Sequence, residues 1–168
     1  MKTVLRYACD CRIPTATAQQ KGAYVGGDGR VHFFTKRAVM DAENGWADIL
    51  RPAREAFGPA LTGPVALRID LLFPYVKATP KLIQAIGEWT PLDKRPDLDN
   101  LLKALLDTMT RLAFWVDDGQ IYALDVRKLR TPSPGLRLAI SVPDTAPTLF
   151  DRGFVDIDTT HDKNEQSI

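Results

Sequence analysis

Apolar and polar positions alternate most regularly over residues 65–73. Val65, Leu67, Ile69, Leu71 and Phe73 fall on one parity, with Ala66, Arg68 and Asp70 on the other. A period of two predicts a strand with one buried face, and Pro74 ends it because proline cannot donate to a ladder. Shorter strands are predicted at 3–9 (Val4, Leu5, Tyr7), at 120–128 (Tyr122, Leu124 and Val126 on one face) and at 136–142 (Leu136, Leu138, Ile140, Val142). The run Thr131-Pro132-Ser133-Pro134-Gly135 reads as the turn joining the last two. Spacings of three and four take over at 38–57 (Val39, Ala42, Trp46, Ile49, Leu50, Ala53, Phe57) and at about 97–113 (Leu98, Leu101, Leu102, Leu105, Met109, Leu112). Both segments are predicted as amphipathic helices. Gly26-Gly27-Asp28-Gly29 reads as a turn between two short strands, Ala23–Val25 and Arg30–Phe34. Residues 10–22 read as a loop, and 75–96 as an irregular connection with a short helix around Leu82–Ile86. The sum is α+β and two-layered, one mostly antiparallel sheet with helices packed on one side.

Composition narrows this picture only a little. The 168 residues are 45% hydrophobic and 26% charged, which excludes a chain disordered throughout and a fibrous repeat. Charges and prolines interrupt every apolar run before membrane-spanning length, and Met1–Arg6 lacks the features of a signal peptide. Cys9 and Cys11 have no third or fourth ligand for zinc, so two reduced thiols and a cytoplasmic location are expected. The net charge of +1 is unevenly spread. Residues 144–168 hold six acids (Asp144, Asp151, Asp156, Asp158, Asp162, Glu165) against Arg152 and Lys163. We expect one domain over 1–143 and a disordered acidic tail over 144–168. A mildly basic body is compatible with a polyanionic partner.

The chemistry concentrates in Lys94-Arg95-Pro96-Asp97-Leu98-Asp99-Asn100-Leu101-Leu102-Lys103, continuing to Asp107. Asp97 is placed as the helix N-cap, its side chain accepting from the free amides of the first turn, and Asp99, Asn100, Lys103 and Asp107 lie off the apolar stripe. An acidic first turn is what any helix start prefers, and Asp99 and Lys103 have the spacing of an ordinary ion pair. A second acidic pair, Asp117-Asp118-Gly119-Gln120, lies between the helix and the next strand. Two acidic clusters flanked by Lys94, Arg95, Arg127, Lys128 and Arg130 suit a hard divalent ion such as Mg²⁺ shared with phosphate oxygens.

With its order and spacing, this set resembles the RusA family of Holliday junction resolvases. The family pattern is an Asp-x-Asp-Asn-x-x-Lys helix start, an aspartate one turn on, and Asp-Asp-x-Gln before a strand ending in a basic residue, here Arg127-Lys128. The resemblance implies a homodimeric, Mg²⁺-dependent endonuclease making paired nicks in branched, four-way DNA. It implies that Asp97, Asp99 and Asp118 are metal-binding and catalytic, that Lys103 is catalytic, and that Asn100 belongs to the same site. No firm role follows for Asp107, Asp117 or Gln120. Gly119 departs from the pattern, which has a small side chain there, and Pro96 stands where some members have a basic residue.

Basic residues of the arm (Lys21, Arg30, Lys36, Arg37) and of the strand end (Arg127, Lys128) are candidate phosphate contacts, which set register rather than sequence. Two other functions compete. A catalytically inactive DNA-binding module of the same fold would keep the acids only as helix caps. A small-phosphate hydrolase would need a phosphate-cradling loop, and Gly26-Gly27-Asp28-Gly29 lacks the Lys-Ser/Thr of one. Asp70 lies off the apolar side of its strand and reads either as an acid near the metal site or as a strand acid facing solvent.

Overall fold

The computed structural model describes residues 1–16 and 21–144; of the tail reading, all but Asp144 lies outside the described residues. In chain order the elements are β1 (Lys2–Asp10), β2 (Lys21–Val25), β3 (Val31–Thr35), α1 (Arg37–Phe57), β4 (Val65–Pro74), α2 (Lys81–Ile86), β5 (Thr90–Pro91), α3 (Leu98–Arg111), a 3₁₀ turn (Asp118–Gln120), β6 (Ile121–Thr131) and β7 (Gly135–Val142). Five strands form one sheet in the order β1-β7-β4-β6-β5. Every neighbouring pair is antiparallel except β4 and β6. That parallel pair requires a crossover, and α2, β5 and α3 supply it. The architecture is thus the mixed α+β, mostly antiparallel one that the hydrophobic pattern predicts.

Helices α1 and α3 cover the inner face. Trp46, Leu50 and Ala53 from α1 and Leu101, Leu105 and Met109 from α3 join Val65, Leu67, Ile69 and Leu71 of β4 and Leu136, Leu138 and Ile140 of β7 in one core. α2 contributes no buried residue. No helix among the described residues is long and apolar enough to cross a membrane.

The structure corrects three details of the pattern. β4 is an interior strand, so its second parity is not solvent-facing throughout: Ala66, Asp70 and Leu72 are buried as well. Tyr122 and Leu124 do not join Val126 in the core and are half exposed. The β4–β6 register slips at the Val65/Ala66 step, which faces Ile121 and Ala123. Tyr122 is the extra residue and so leaves the face of Val126, whereas Leu124 keeps that face, in register with Leu67 as Val126 is with Ile69, and is half exposed all the same. Finally, β2 and β3 do not join the main sheet but form a separate hairpin. One hairpin face stacks Tyr24 on His32 at 5.2 Å. The other, from Ala23, Val25, Val31 and Phe33, lies open to solvent.

Cys9 and Cys11 are free, with their sulfurs 3.2 Å apart. Burial, then the contact with Cys9, pushes the Cys11 thiol up to about 12. At neutral pH it stays protonated and is no nucleophile.

Candidate metal and nucleic-acid site

Helix α3 carries chemistry at both ends. Asp97 occupies the N-cap in extended conformation, yet its carboxylate makes no capping hydrogen bond. It is exposed, as is Asp99 in the first turn, and neither makes an ion pair with another described residue. The expectation that Asp97 caps through its side chain is therefore corrected in detail. The position is right, and the oxygen atoms are left free. Lys103 turns away from Asp99 and pairs with Asp107 at 3.4 Å. Both are largely exposed, so the contact is loose and easily exchanged for a stronger anion. Asn100 is half-buried beside them.

The segment leading to this end is held by β6. The Leu92 amide donates to the Lys128 carbonyl at 3.0 Å, continuing the short β5–β6 pairing. The Lys128 ammonium donates to the carbonyls of Lys94 at 2.7 Å and Pro96 at 2.6 Å. Lys128 is therefore turned inward onto the backbone that enters α3.

Asp118 lies at the opposite end. Arg54 Nε donates to the Leu112 carbonyl at 2.7 Å, and Trp115 Nε1 donates to Thr110 Oγ1 at 2.8 Å, which fixes the helix exit. Beyond it, the two neighbours of Asp118 hold the turn. The Asp117 carboxylate accepts from the Gly119 amide at 2.7 Å. The Gln120 side-chain oxygen accepts from the amides of Val116 and Asp117, both at 2.9 Å, and its nitrogen donates to the carbonyls of Leu61 and Gly63. A side chain at position 119 would press on Asp117 Oδ1, with its Cβ only 2.8 Å away, which explains the glycine. The Asp118 carbonyl accepts from the Ile121 amide, while its carboxylate is exposed and takes no part in this network.

The arrangement sorts the acids. Asp70 pairs with Arg127, Asp125 with Arg68 and Asp107 with Lys103, while Asp117 caps a turn. Asp97, Asp99 and Asp118 keep their oxygens uncommitted, and exposed carboxylates are the donors that a hard divalent cation takes. Those three fit such an ion in chemistry, but one chain does not bring them together. A helix of α3's 14 residues is about 21 Å long, with Asp97 before its start and Asp118 beyond its end. β6 runs back along it only after Asp118. Among the described residues, no three His, Cys, Asp or Glu side chains converge as a ready-made metal site.

The basic candidates fall in three places. Arg30, Lys36 and Arg37 are exposed at the turn and base of the projecting hairpin, and Lys21 begins β2 there. Arg127 is on the other face of the sheet from the helices, in a two-pronged pair with buried Asp70 at 2.6 and 2.8 Å. That carboxylate raises the Arg127 pKa, through the hydrogen bond first and charge second. Asp70 is therefore no solvent-facing acid. Lys128 points to the helix face, as described above.

Comparison with known proteins agrees with the motif. The family model "Endodeoxyribonuclease RusA" matches residues 13–141. The crossover junction endodeoxyribonuclease rusA of Lactococcus phage r1t is 29% identical over 141 residues, covering 84% of this chain and 98% of the relative. The crossover junction endodeoxyribonucleases RusA of Escherichia coli K12 and of enterobacteria phage 82 are each 40% identical over 55 residues, covering 32% of this chain and 44% of theirs.

Proposed function

The chain belongs to the RusA family of endodeoxyribonucleases, and from that premise we propose that it resolves four-way DNA junctions with Mg²⁺, as a dimer whose metal sites each draw on both copies. The observation that carries this reading is the set of three uncommitted carboxylates divided between the two ends of α3. Bound Mg²⁺ supplies a water of lowered pKa and neutralises charge in the in-line transition state. Asp97 and Asp99 of one copy, with Asp118 of the other, would hold it. The Lys103 ammonium, one turn after Asp99, offers a point charge for the scissile phosphate. Asn100 offers an amide next to it.

A two-fold axis crossing the middle of α3 brings the helix start of one copy to the helix exit of the other. The exposed stripe of α3 suits this pairing. Asp99, Lys103, Asp107 and Arg111 recur every four residues with alternating sign. Laid antiparallel on a second copy, a stripe of alternating sign complements itself in charge, and the helix start that carries Asp99 and Lys103 comes to the partner's helix exit. Exposed Met40 and Val116, with the open apolar face of the hairpin, offer apolar area that charges alone do not.

Cleavage of a synthetic four-way junction beside linear duplex tests the proposal. Paired nicks in the junction are expected with Mg²⁺, and none after chelation by EDTA. Junction binding without nicks in any divalent metal would favour an inactive DNA-binding module instead.

The arm gives a separate expectation. Arg30→Ala and Lys36→Ala should each lower the slope of log Kd against log salt by about one, and weaken all DNA sequences alike. An unchanged slope for both would remove the arm from the DNA surface.

A further inference from the structure

Lys128 stands among basic residues that suggest a DNA contact, and its geometry points elsewhere. Between buried Leu92 and the helix cap Asp97, the chain passes through the exposed residues Asp93, Lys94 and Arg95. Among the described residues, no side chain other than Lys128 hydrogen-bonds the backbone of this stretch. Lys128 takes hold of it three times: its carbonyl accepts from Leu92, and its ammonium donates to the carbonyls of Lys94 and Pro96. The second of those carbonyls lies one residue before Asp97. A carboxylate that makes no capping hydrogen bond has only its backbone to fix its position. An ammonium with three donors suits two carbonyls approached from different directions.

We propose that Lys128 is a positioning residue: by clamping the Lys94 and Pro96 carbonyls, it sets where the Asp97 carboxylate stands for the metal ion. This rests on the proposed role of Asp97, and it assigns to Lys128 no contact with DNA. Its effect passes through the metal site, as supporting hydrogen bonds to a ligand generally do.

Lys128→Met keeps the stem and removes the ammonium; Lys128→Arg keeps the charge on a planar fork. Three readouts separate the possibilities. In Lys128→Met, the Mg²⁺ concentration for half-maximal junction cleavage is expected to rise roughly tenfold or more. The salt slope of junction binding should stay at the wild-type value. Amide exchange over 93–99 in the DNA-free protein should quicken by about tenfold or more, while β4 stays protected. Lys128→Arg should restore only part of the lost Mg²⁺ response.

A slope lowered by about one with an unchanged Mg²⁺ response overturns the proposal in favour of a phosphate contact. So does loosening of β4 together with 93–99, which makes Lys128 a support of the whole fold. Full rescue by arginine also counts against it, because charge alone would then suffice. The exchange experiment needs no nuclease activity. If wild-type protein fails to cleave while 93–99 loosens selectively, the resolvase reading fails and the clamp stands.

Discussion

Asp97→Asn and Asp118→Asn proteins are each expected to bind a four-way junction and fail to nick it, and co-expressing the two is expected to restore nicking. Either change removes a charged oxygen donor from every metal site, and a metal contributing several kcal/mol to the transition state implies a loss of roughly a thousandfold or more. Restoration follows from where the residues stand. Asp97 and Asp118 flank a helix about 21 Å long, too far apart to share one ion within a chain. In a mixed dimer, one site combines the intact Asp97 of one subunit with the intact Asp118 of the other, and the second site carries both substitutions. Random pairing makes about half the dimers mixed, each with one whole site, so the nicking rate should recover to about a quarter of wild type. The nicks should also be single, because a mixed dimer cannot make the paired cut. Following nicked and fully resolved products on a gel measures both, and the mixed species purified through two different tags, with one whole site in two, should nick at about half the wild-type rate. No recovery in the mixed species would place all the ligands of each site within one subunit.

That division was not visible in the sequence, although the information was present. Residue types, order and spacing carried the family resemblance, and it is the resemblance that puts forward Asp97, Asp99, Lys103 and Asp118 as a set. The order of elements does not say at which end of the helix the acids before the next strand come to lie. The structure keeps Asp117 and Asp118 at the helix exit, ahead of that strand. The predicted elements themselves were legible because the periods are strong and the caps and prolines lie near the element ends. The inward turn of β6 was not. A single inserted residue, Tyr122, leaves the face of Val126, and a slip of that kind depends on the neighbouring strand. The pairing of Asp70 with Arg127 was hidden because it, too, depends on the neighbouring strand. An acid on β4 and an arginine on β6 read separately as surface charges; only the register Asp70↔Arg127 makes them a pair. Lys128, the next residue, then necessarily faces the helices.

Gly135→Ala is expected to lower stability by about 2–4 kcal/mol, a fall in Tm of roughly 4–16 °C for a chain of this size. Nothing in its surroundings can yield. Gly135 starts β7 and is buried opposite Asp10 of β1 and Leu72 of β4. An added methyl meets the Cys9 carbonyl oxygen, with the Cys9 carbonyl carbon at 3.0 Å and Asp10 Cα at 3.1 Å, all of them backbone atoms. A flexible side chain could swing aside, but here the end of β1 must lift from β7. That movement strains three contacts at once: Cys11 N–H to the Pro134 carbonyl, and Arg137 to the Cys9 carbonyl and to the Asp10 carboxylate. It also loosens Leu5, Tyr7 and Cys9, which pack from β1 onto the core. Gly63→Ala serves as the control, since nothing lies within 4 Å of a Cβ there, and its Tm should be little changed. Well below the transition temperature, Gly135→Ala should still nick junctions, because β1 supplies none of the proposed metal ligands. A Tm equal to wild type would mean that β1 and β7 are not so closely apposed at this end, and the sheet order around β7 would need redrawing.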